Sequence, residues 1–156
     1  MGRKEAPARS DFHWFTPITT RWSDNDVYGH VNNVIYYSYF DSVANRYLIE
    51  EGGLDIQRGE TIGLVVNSGC DYFQPVAYPE MLEGALRVNR LGSSSVEYGI
   101  GIFRASAHSE GDSVTDSGSA CACGSFTHVF VDRATSRPVP IPQAMRAALE
   151  RIAAGA

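Results

Sequence analysis

Between Asn33 and Glu50 the apolar residues Tyr36, Tyr39, Phe40, Val43 and Tyr47 recur at helical spacing, while Ser38, Asp41, Ser42, Asn45 and Arg46 occupy the opposite side. Asn32 or Asn33 can cap this helix and Gly52-Gly53 can end it. Eighteen residues make a rod of roughly 27 Å. Its broad aromatic face needs a large apolar partner, and only a sheet in the same chain can supply one.

The rest of the sequence provides that sheet. Phe15 to Trp22 alternates Ile18, Thr20 and Trp22 against Thr19 and Arg21, the period of a half-buried strand, with Pro17 pointing to a sheet edge. After the helix come runs with strand character at Leu64 to Phe73, Met81 to Leu91, Ser94 to Ala105 and Ser119 to Val131. Pro75 and Pro79, Gly92-Ser93, and Gly111 to Gly118 mark the turns between them. Pro138, Pro140 and Pro142 precede a short Ala-rich helix, Gln143 to Ala154. Strand, helix, then four strands with hairpin-length connections describe an antiparallel five-stranded sheet wrapped around one long helix, an α+β arrangement. Residues 1–12 read as a flexible tail and 13–156 as one domain, with no internal repeat.

The segment joining the first strand to the helix is dense in chemistry: Arg21-Trp22-Ser23-Asp24-Asn25-Asp26-Val27-Tyr28-Gly29-His30-Val31-Asn32-Asn33. Taken one at a time, Asp24, Asn25 and Asp26 are ordinary turn formers, Gly29 supplies a positive φ, and the asparagines cap the helix. Taken together, Asp24-Asn25-Asp26-Val27-Tyr28-Gly29-His30-Val31 followed by an aromatic helix resembles the superfamily typified by 4-hydroxybenzoyl-CoA thioesterase. The stretch His30-Val31-Asn32-Asn33 is also similar to acyl-ACP thioesterases, although Tyr28 stands where some of those place an asparagine.

That resemblance implies a hotdog fold and a thioester hydrolase in which Asp26 is the catalytic carboxylate. An acyl thioester requires attack at its carbonyl carbon and donors for the charge that develops on oxygen. A helix N-terminus offers unpaired amides and a partial positive charge, so the amide at Asn33 can serve as oxyanion donor. Residue identity leaves open whether Asp26 attacks carbon directly or activates water. His30 can orient Asp26 or the substrate carbonyl, or be structural. Gly29 and Tyr36 border the expected pocket, though an aromatic on a core helix packs as readily as it lines a cavity. The resemblance further implies that basic and serine residues at strand ends hold the nucleotide of coenzyme A, for which Arg90, Ser94 and Ser95 are the candidates.

Other residues carry less. Cys121 and Cys123, two apart in a strand, read as small apolar side chains on one face, and Cys70 stands alone. The cysteines and histidines lack zinc-site spacing, and there is no Gly-x-Ser-x-Gly elbow. His128 and Asp132 read as sheet-surface residues and His108 as part of a polar loop. A net charge of -5 without a basic stripe argues against nucleic acid, and no run of about 18 apolar residues could cross a bilayer. With three cysteines and no secretory start, a cytoplasmic location is expected. No cofactor or metal is expected, because coenzyme A arrives as part of the substrate. The expected partners are an acyl-CoA and further copies of the chain, as a homodimer or dimer of dimers with the site at the interface. A hotdog module that binds acyl thioesters without cleaving them, a thioesterase for acyl-ACP, and a hotdog dehydratase are the alternatives; the last lacks its His and acid pair.

Overall fold

The computed structural model describes residues 3–105 and 118–153. Its elements are β1 (Trp14–Thr19), α1 (Asn33–Glu50), β2 (Thr61–Tyr72), β3 (Met81–Leu91), β4 (Ser95–Arg104), β5 (Ala122–Asp132) and α2 (Gln143–Arg151). The strands form one antiparallel five-stranded sheet in the order β1-β3-β4-β5-β2, on which α1 packs. This is the hotdog arrangement, with the bounds of α1 and the edge position of β1 as the sequence indicates, while α2 ends at Arg151, before the expected Ala154.

The helix faces the sheet with its expected side, since Tyr36, Tyr39, Phe40, Val43 and Tyr47 are all buried. Close approach explains two glycines beneath it. A Cβ at Gly84 would stand 2.3 Å from Val43 Cγ2, and one at Gly124 would stand 2.3 Å from the Phe40 ring, so both strands are bare where the helix rests. At its start, Asn32 Oδ1 accepts from the Val34 amide at 2.9 Å, which makes Asn32 the cap.

Several expectations need correction. The alternation that carried β1 to Trp22 outlasts the strand, which ends at Thr19; Trp22 begins a 3-10 turn and is 81% exposed. The tail is shorter than 12 residues, because Pro7 accepts from the Ala120 amide, Ala8 bridges to Ser119, and Phe12 is buried against Phe103. Arg9 pairs with Glu83 and lies over the Phe103 ring, 4.9 Å from its centroid, so this segment covers the outer face of the sheet. Cys121 and Cys123 do not share a face: β5 begins at Ala122, Cys121 joins the helix-side core, and Cys123 packs on the outer cluster. His128 is not on the surface. It is 2% exposed, on the helix side of β5 between Phe126 and Phe130, with Nδ1 3.2 Å from the Tyr98 hydroxyl. The expected turn over Gly111 to Gly118 lies, apart from Gly118, outside the described residues, as does His108.

The register fixes two ends of the sheet. Thr19, Met81, Arg104, Ala122 and Tyr72 lie at one, and Leu91, Ser95, Asp132 and Thr61 at the other, while the short β1 stops halfway at Trp14, opposite Leu86. The N-terminus of α1 is at the first end, where Val31 donates to the Val76 carbonyl just beyond β2.

Candidate active site at the N-terminus of the long helix

The chain between β1 and α1 is fixed by its first aspartate. Asp24 is fully buried and accepts from the Tyr39 hydroxyl at 2.7 Å, from the Arg21 amide at 2.9 Å and from Arg21 Nε at 3.1 Å. Burial alone would raise its carboxyl pKa, but these donors outweigh it and hold the group below the usual carboxylate range. The Asp24 carbonyl also accepts from the Asn32 amide, so one residue ties the start of the loop to the start of the helix.

The second aspartate is held differently. Asp26 is half-buried within a tight turn: its amide donates to the His30 carbonyl at 2.9 Å, and its carbonyl accepts from the Gly29 amide at 3.0 Å. Gly29 has φ of 82°, a backbone state that disfavours side chains. Asp26 Oδ1 accepts from the Tyr28 amide at 2.9 Å, while Oδ2 has no partner among the described residues. The neighbouring Asn25 accepts from the Tyr78 amide through Oδ1 at 2.9 Å, which clamps this turn to the loop after β2.

Between these segments opens a cleft of about 310 Å³, lined by His30, Val31, Asn33 and Tyr36 on one side and Tyr72, Phe73, Gln74 and Pro75 on the other. Burial pushes the Tyr36 hydroxyl up to about 12, so it stays a neutral phenol. Tyr72 donates to the Asn33 carbonyl at 3.1 Å and its ring meets Tyr36 edge-on at 5.1 Å, which joins edge strand β2 to the first residue of α1. In the first turn of α1 the Val34 amide is taken by Asn32 Oδ1 and the Ile35 amide by the Asn32 carbonyl, whereas the Asn33 amide has no partner among the described residues. One free helix-terminal donor therefore stands at this cleft.

The structure thus brings together His30, Asn33 and Tyr36 in the cleft wall, with Asp26 and Gly29 in the turn that runs into His30. It does not bring Arg90, Ser94 and Ser95 there. They flank the β3–β4 turn at the opposite end of the sheet, about 30 Å away along β4. The wall formed by Tyr72 to Pro75 escaped the sequence reading, which marked Pro75 only as part of a turn. Behind that wall is Arg104. Its Nε donates to Glu80 at 2.7 Å, Nη1 to Gln74 Oε1 at 2.8 Å, and Nη2 to the Pro75 carbonyl at 2.8 Å.

Comparison with known proteins places these features in context. Residues 20–149 match the model of the thioesterase-like superfamily. The chain is 56% identical to the PA5185 protein of Pseudomonas aeruginosa strain PAO1, covering 97% of this chain and 99% of that one, with a TM-score of 0.87. Slr0204 of Synechocystis, a 1,4-dihydroxy-2-naphthoyl-CoA thioesterase, is 17% identical over 86% of this chain and 93% of its own, with a TM-score of 0.72, a likeness of fold. Over 88 residues, 56% of the chain, there is 30% identity to the uncharacterized protein YsmA of Bacillus subtilis; the match spans 59% of that protein's length.

Proposed function

Since the chain belongs to the thioesterase-like superfamily, we propose that it hydrolyses an acyl-CoA to the free acid and coenzyme A, with Asp26 as the catalytic carboxylate and the Asn33 amide as oxyanion donor. The observation that carries this reading is the cleft itself: it is walled by aromatic side chains, it opens at a helix-terminal amide, and it adjoins a turn holding a carboxylate, the amide and one carboxylate oxygen having no partner among the described residues.

The chemistry follows from these parts. A thioester carbonyl seated against the Asn33 amide develops negative charge next to the positive end of α1. Asp26 can draw a proton from water as that water bonds to the acyl carbon. Alternatively, an Asp26 oxygen bonds to the carbon, coenzyme A leaves as thiolate, and water cleaves the mixed anhydride to restore the carboxylate. In both routes the C–S bond breaks and the sulfur takes up the released proton. A thiol of pKa about 8.5 leaves readily, so no strong general acid is required.

The same reading includes assembly into a homodimer, or a dimer of dimers, through β2. That strand hydrogen-bonds only β5 in the sheet, and it exposes Leu64, Val65 and Val66 by 42%, 44% and 60%. An unguarded apolar edge is suited to pairing with a second copy. Free thiol is the decisive readout: incubation with a panel of acyl-CoAs and a thiol-trapping dye should yield coenzyme A in stoichiometric step with acid. Binding without thiol release would instead identify an acyl-thioester-binding module, and turnover confined to acyl-ACP would change the carrier.

A further inference from the structure

An oxyanion hole commonly combines two donors, and the first turn of α1 leaves only one free. Its Val34 and Ile35 amides are committed to Asn32. The opposite wall is similarly spent along its backbone, because the Phe73 and Gln74 amides both donate to the Cys121 carbonyl and Pro75 has none to give. Val31 donates to Val76, and the Tyr72 hydroxyl donates to Asn33. What remains on that wall is the side chain of Gln74.

Its orientation is set from behind. Arg104 carries donors only, so the amide oxygen of Gln74 must be the atom facing it, and Oε1 accepts from Nη1 at 2.8 Å. The guanidinium is itself held by Glu80 and the Pro75 carbonyl. Gln74 Nε2 is thereby left as a donor with no partner among the described residues, in a side chain that lines the same 310 Å³ cleft as Asn33. We propose that Gln74 supplies the second hydrogen bond to the thioester carbonyl oxygen, and that Arg104 is the positioning residue that keeps its amide turned for the task. The proposal rests on the thioesterase reading and adds a residue to it.

The test is steady-state kinetics of Gln74→Met, which keeps length and removes the donor, on the best acyl-CoA of the panel. A donor that acts as charge develops gives a fall of about a hundredfold in both kcat and kcat/KM, with KM, melting temperature and affinity for a thioether analogue lacking the carbonyl unchanged. Gln74→Glu, which sets a carboxylate beside Arg104 in place of the donor, falls at least as far. Arg104→Lys keeps charge but not the forked grip on Glu80, Gln74 and Pro75, and its loss in kcat combines with that of Gln74→Met to less than the product of the two. Near-normal kcat in Gln74→Met, a change confined to KM, or fully multiplicative losses would overturn the proposal. A wild-type protein that releases no coenzyme A from any acyl-CoA would instead sink the acyl-CoA thioesterase reading on which the proposal rests.

Discussion

Two buried polar residues show how single side chains set the conditions under which this molecule works. Asp24 is satisfied by Tyr39 and Arg21 and serves as the anchor of the candidate loop, which leaves its sequence neighbour Asp26 the less encumbered carboxylate. His128 is the opposite case, an imidazole inside the apolar core whose pKa burial lowers to about 4. Between that value and the ordinary one near 6.5, the unfolded chain takes up a proton that the folded chain refuses, so stability falls as pH drops through this window and is fully present above it. The effect amounts to about 3 kcal/mol at the acid end. Denaturant midpoints of wild type and His128→Gln, measured from pH 7 to 4, should converge toward acid as this dependence disappears in the variant. Parallel curves would show that His128 does not titrate in this way.

Among the elements, α1 and β3 were legible to the residue, because a 3.6 period with a cap and an uninterrupted strand between turn signals leave little freedom. The sequence was a poorer guide where meaning depends on pairing. Period-2 alternation cannot say where a strand stops, so Trp22 was assigned inward when it lies beyond β1. Nor does it say which end of the sheet a turn occupies, so the distance of Arg90, Ser94 and Ser95 from the cleft is visible only in the folded chain. Tyr72 reaches Asn33 across 39 residues only because β2 runs antiparallel on β5, and no local pattern carries that information. Edge strand β2 also bears a prediction of its own. It bulges at Val66, opposite His128 and Thr127, and presents that apolar side chain outward. A lysine there guards the edge as natural edge strands do. Val66→Lys should therefore halve the mass seen by sedimentation from two chains to one, whereas an unchanged dimer would remove β2 from the interface.

At the scale of the whole molecule, a sheet closed over one helix brings two sequence-distant walls to the helix tip, and the remaining fold serves to keep that junction fixed. The N-terminal segment covers part of the outer face of the sheet, packing Phe12 against Phe103. None of the cleft-lining residues is an arginine or lysine, so on the proposed acyl-CoA reading a chain of net charge -5 has to hold the anionic nucleotide with cations elsewhere. The family was readable from the Asp24 to Asn33 motif, but the identity of the acyl group was not, because pocket depth is set by walls that meet only on folding. The account stands on Asp26, and the most direct measurement is kcat/KM for acyl-CoA hydrolysis by Asp26→Asn, alongside binding of the thioether analogue. We predict a loss of about a thousandfold or more with binding and melting temperature retained; turnover within severalfold of wild type would contradict it.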